Sequence, residues 1–89
     1  MPYIDQDSRN ALDPNMVLLS ENINTTGQLN YCITKLCINF LKRSTINYVS
    51  LNEIPGVLEC AKLEFYNRMI MPYEIRKQAI NGDVYNEIL

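Results

Sequence analysis

The chain has 89 residues, eight basic against ten acidic side chains, and no histidine. One domain over residues 1–89 is expected, and at this size folding conceals roughly 60 to 65% of the unfolded surface, which leaves a thin core. The net charge of -2 has the wrong sign for a protein that displaces counterions along a nucleic-acid duplex, so that partner is excluded.

Taken in chain order, residues 1–13 are polar, with Asp5, Asp7 or Ser8 able to cap a short turn and Leu12 as its main apolar residue. Asp13-Pro14 is a strong start signal, since proline at the first helical position loses no hydrogen bond and aspartate accepts from an orphan N–H. A first helix over 14–22 is predicted, with Met16, Val17 and Leu18 or Leu19 inward, closed by Asn24-Thr25-Thr26-Gly27. Thr26 suits the cap of the next helix.

From Leu29 the apolar residues fall at 29, 32, 33, 36, 37, 40 and 41, the three-and-four spacing of a single core-facing stripe. Residues 44–50 read as a connecting loop. Ser50-Leu51-Asn52-Glu53 matches a reciprocal capping box, with Pro55 late for a clean first turn, and the third helix runs to about residue 71. Pro72 disfavours helical geometry at Met71, so a break or kink is expected there. A last helix over 73–80 ends at Asn81-Gly82, where glycine accepts positive φ. The fold class is all-α: a small bundle of three main helices with a kinked C-terminal helix.

Winding the third helix at about 100° per residue places Ile54, Val57, Leu58, Ala61, Phe65 and Met69 in one stripe, taken as the monomer core against helix 29–41. Leu63, Tyr66 and Ile70 form a second apolar strip on nearly the opposite side. Either the C-terminal segment folds back with Ile75, Ala79 or Val84, or the same strip of another copy covers it. The shortage of core favours a homo-oligomer with Leu63, Tyr66 and Ile70 at its interface. Arg68 can pair with Glu64, and Lys62 with Glu59, as solvated ion pairs. Alternatively Glu59, Lys62, Tyr66 and Arg68 line a groove between subunits that takes a polar or phosphorylated ligand.

The absence of histidine removes the commonest general base and the usual nucleophilic triads. Cys32, Cys37 and Cys60 have no zinc spacing and read as small apolar core residues, so no metal or cofactor is expected. No glycine pattern cradles phosphate, and the carboxylates Glu59 and Glu64 lack a nucleophile beside them, so the chain is not expected to be an enzyme. Without a secretory signal or an apolar run of membrane-spanning length, and with an odd cysteine count, a soluble cytoplasmic protein is expected. Lys42-Arg43 and Arg76-Lys77 read as cations near helix C-termini.

The stretches LNYCITKL, LNEIPGVLECAKLEFYNR, PYE and NGDVY resemble a family of small uncharacterised proteins frequent in tailed bacteriophage and prophage genomes. Those proteins begin MPYI, carry GxLNYxxT near the middle and end in a GVLECAKLEFYRR-like stretch, PYE and NGDVY. Here Gly27, Leu29, Asn30, Tyr31 and Thr34 fit the middle motif and residues 56–66 the third, with Asn67 replacing a frequent arginine and Pro55 a usual aliphatic residue. The resemblance covers nearly the whole chain and implies a compact helical protein of viral origin. Small phage proteins of this size often meet host machinery, so the expected partners, besides a second copy, are a host protein or a small nucleotide-like ligand in the host cytoplasm. The expected role is to inhibit a host defence protein or sequester a nucleotide signal; the alternative is a structural or interaction accessory protein without a small ligand.

Overall fold

The computed structural model describes residues 1–89, and it is helical with no strand. Helix α1 spans Gln6–Ser20, α2 Thr26–Lys42 and α3 Tyr48–Phe65; a π-helical turn, Tyr66–Ile70, joins α3 without interruption to α4, Met71–Asn81, and a single 3-10 turn, Tyr85–Glu87, follows. None of these helices is long and apolar enough to cross a membrane.

Each start is fixed by a side chain that satisfies otherwise orphaned backbone donors. Asp5, not Asp13, caps α1: the Ser8 N–H and hydroxyl donate to its two carboxyl oxygens at 3.1 and 2.7 Å. These bonds hold the Asp5 carboxyl below its ordinary pKa. The predicted start at Pro14 is therefore corrected. Pro14 lies inside the helix, where it forfeits a bond to the Asn10 carbonyl and weakens the middle of α1.

Thr25, one residue before the expected cap, starts α2 through a capping box with Gln28, each side chain accepting from the other residue's N–H at 3.1 Å. The start of α3 is also earlier than Ser50. Asn47 is its cap, and Ser50 is the third helical residue: the Ser50 N–H donates to Asn47 Oδ1 at 3.0 Å and the Asn47 N–H to Ser50 Oγ at 2.9 Å. The Ser50 hydroxyl in turn donates to the Thr45 carbonyl at 2.8 Å, tying the α2–α3 connection to the helix. Ser50 is the one residue in the chain that is buried, at 7% exposure.

The break expected at Met71-Pro72 is replaced by the π turn just before it. The Met71 N–H reaches back five residues to the Tyr66 carbonyl, and this widened turn accommodates Pro72, which has no N–H and whose ring crowds the carbonyl four residues earlier. The composite helix from α3 through α4 is about 50 Å long at helical rise, equal to the 50 Å longest dimension of the chain. Gly82 ends it with φ of 96°, a conformation that a Cβ would strain.

Packing departs furthest from expectation. No apolar side chain is buried. The stripe read as the monomer core is open to solvent: Val57 is 63%, Phe65 62% and Met69 61% exposed, and only Ile54 reaches half-burial. Cys32 and Cys37 are half-buried and Cys60 is exposed, so the thiols do not form a core either. Helices α2 and α3 meet sparsely, and α1 touches no other helix. The accessible surface is 8004 Å², against about 5,400 Å² for a compact protein of this mass. The radius of gyration is 17.8 Å, against about 12 Å for a compact chain of this length. The chain closes its backbone locally, with 60 backbone hydrogen bonds, and leaves its apolar faces open; it is not a closed bundle.

The cap of α3 supplies a first prediction. Asn47→Ala removes the acceptor for the Ser50 N–H and is expected to lower stability by about 1 kcal/mol in denaturant unfolding. An unchanged midpoint would show that Asn47 does not hold the start of this helix.

Candidate functional site

The end of α3, the π turn and α4 form the chain's richest concentration of polar and aromatic groups. Glu59, Lys62 and Tyr66 follow one another at three- and four-residue spacing, so they share a helix face. Arg68, nine residues beyond Glu59, lies on another side, within the π turn. Lys62 Nζ stands 3.4 Å from Glu59 Oε1, as the spacing predicted. With Lys62 70% and Glu59 57% exposed, this pair adds a few tenths of a kcal/mol.

The expected Glu64–Arg68 pair does not form. Glu64 is half-buried, and its Oε2 accepts a hydrogen bond from the Tyr3 hydroxyl at 3.0 Å, across 61 residues of sequence. The π turn begins between the two partners and changes the helical register that would have brought Arg68 over Glu64. Arg68 therefore keeps a guanidinium without a carboxylate. The N-terminal segment is also tied to α1, because Arg9 Nε donates to the Ile4 carbonyl at 2.7 Å.

Tyr66 faces the C-terminal side as well. It borders an open cleft of about 540 Å³ together with Glu74, Lys77, Gln78, Asp83 and Tyr85. The residues beyond Gly82 make one wall, and within them the Tyr85 N–H donates to Asp83 Oδ1 at 2.9 Å. Val84 lines this cleft with Ile75 but is 71% exposed, and of the strip only Tyr66 borders the cleft; α4 runs on from α3, so the expected fold-back of the C-terminal segment over Leu63 and Ile70 is not what the chain does. Of the apolar strip beside the site, Leu63 and Tyr66 remain exposed and Ile70 is half-buried.

A further cluster lies on α4. The Arg76 guanidinium sits 6.0 Å and the Lys77 ammonium 5.7 Å from the centre of the Tyr73 ring, within cation–π range. The reading of this pair as C-terminal dipole partners is corrected, since the last turn of α4 holds no basic residue. The signal was present in the sequence as an aromatic residue followed at three and four residues by cations, the spacing that stacks side chains on one helix face. Lys42 does close α2, in its last turn.

A family model described as a domain of unknown function (DUF6899) matches residues 1–84, a span that takes in the Tyr3–Glu64 contact, the π turn and most of the cleft. No curated protein and no solved structure matches the chain.

The long-range contact is testable by itself. Tyr3→Phe is expected to increase hydrogen exchange and proteolytic cleavage in the first residues while changing global stability by about 1 kcal/mol or less. Glu64→Gln, which keeps an acceptor, is expected to retain most of the protection; equal protection in wild type and Tyr3→Phe would exclude a role for this bond.

Proposed function

The chain belongs to the DUF6899 family, a domain of unknown function, and we propose that it is a non-enzymatic binding protein that assembles from copies of itself and acts on a host component. The observation that carries this reading is the open apolar surface. The chain exposes roughly 2,600 Å² more than a compact protein of its mass, whereas obligate assemblies conceal about 2,000 to 5,000 Å² in total across their interfaces. Copies pairing through the strip Leu63, Tyr66 and Ile70 would draw on this surplus.

The ligand side of the proposal rests on the groups beside that strip. Lys62 supplies a cation, Glu59 an acceptor and Tyr66 an aromatic face shared with the cleft, whereas Arg68, on another side of the helix, does not join them. A polar, phosphorylated ligand with a base or sugar to stack fits this set, and the phage-type resemblance supports a host signal of nucleotide type as its source. The exposed tail favours a second reading, an accessory protein that docks a partner through its C-terminus: Ile88 is 80% and Leu89 93% exposed.

Thermal unfolding against a panel of cyclic nucleotides and related metabolites tests the first reading. A true ligand at a hundredfold excess over its Kd stabilises by about 2.7 kcal/mol, and Lys62→Ala is expected to reduce the shift. No stabilisation by any member of the panel removes the small-ligand reading and leaves the tail-docking one. The latter requires that deletion of residues 83–89 abolish partner capture with helicity unchanged. The unfolding temperature is also expected to rise with protein concentration.

A further inference from the structure

Helix α1 is a helix without a reason to be helical inside its own chain. It has 15 residues with Pro14 in its interior, and an isolated helix of that length is marginal in water even when alanine-rich. It packs on no other helix. Yet it carries a regular apolar seam, Leu12, Met16 and Leu19, spaced four and three, and Ile23 in the connection continues the spacing by four. Helix α2 carries the same spacing in Leu29, Ile33, Leu36 and Phe40, and all four of these are exposed. Seams of this period interlock when two helices cross at a shallow angle.

The charges of the two segments are complementary. Residues 5–21 hold Asp5, Asp7, Asp13 and Glu21 against Arg9, whereas residues 26–43 hold Lys35, Lys42 and Arg43 and no acid. Two of the acids, Asp5 and Asp7, lie at the start of α1 and two of the cations, Lys42 and Arg43, at the end of α2, so an antiparallel pairing brings opposite ends together. That orientation sets Leu12 by Phe40, Met16 by Leu36, Leu19 by Ile33 and Ile23 by Leu29. The connection of residues 21–25 is short enough for a helical hairpin, but the two helices stand open.

We infer that α1 is exchanged between copies: two chains associate about a two-fold axis, and the α1 of each lies antiparallel on the Leu29–Ile33–Leu36–Phe40 face of the other's α2. Exchange of an identical element between protomers needs no surface beyond the one a hairpin would use. It consumes part of the surplus area and leaves the α3 strip and the polar groups beside it accessible. The inference rests on the self-assembly reading and adds to it which helix crosses between chains.

Two single-cysteine chains in a Cys32→Ala, Cys37→Ala, Cys60→Ser background, one with Met16→Cys and one with Leu36→Cys, are refolded together and treated with a short bismaleimide. The expected product is a cross-chain conjugate between residues 16 and 36, formed in the mixture and not by either variant alone. Assembly without that conjugate overturns the exchange and leaves self-assembly standing. A monomer in which a doubly substituted chain, Met16→Cys with Leu36→Cys, conjugates only within itself overturns both. Met16→Lys in the otherwise native chain gives an independent readout: loss of the assembled species together with the α1 share of the helical circular dichroism is expected, and an unchanged assembly contradicts the exchange.

Discussion

An amphipathic helix closes its own hydrogen bonds but cannot dry its own apolar face. Every other feature of this chain follows from that limit. The caps at Asp5, Thr25 and Asn47 and the π turn before Pro72 settle the backbone locally, while the side chains of all three principal helices remain in contact with water. Burial of apolar area is the dominant favourable term in folding. A single copy of this chain lacks most of that term, and this shortfall is the support for the proposed assembly.

The polar region at the end of α3 gains meaning from the same constraint. Its residues sit beside Leu63, Tyr66 and Ile70, where a second copy or a partner would exclude water and strengthen charged contacts that are weak in the open chain. The π turn sets which of them cooperate. It leaves Arg68 unpaired, frees Glu64 to anchor Tyr3, and carries the helix past Pro72 so that Tyr66 reaches the cleft formed with α4 and the tail.

Helix content was legible from residue type and spacing. The stripe from Leu29 to Leu41 located α2, and Gly82 marked the end of α4. Boundaries were less so, because several residues near each start have cap chemistry: Ser50 with Glu53 and Asn47 with Ser50 both fit, and the choice depends on the bond from Ser50 to Thr45. Pro14 looked like a start and Pro55 late for one, since their local cost is evident, whereas the surrounding helical bonds that outweigh it are cooperative. Of the candidate site, the Glu59–Lys62 pair was readable from spacing. The Tyr3–Glu64 bond was not, since nothing local links residues so far apart, and the loss of the Glu64–Arg68 pair followed from a change in helical register that periodicity assumes away. The apolar strip on α3 was visible as a surplus; that the opposite stripe is equally open was not, because helical periodicity shows which residues share a face and not what lies against it.

The central claim is that this chain completes its core with another copy of itself. Sedimentation equilibrium at micromolar concentration tests it most directly. The account predicts a mass that is a multiple of the 10.3 kDa chain; a single species at the chain mass, unfolding cooperatively and as compact as a closed domain of this length, contradicts it.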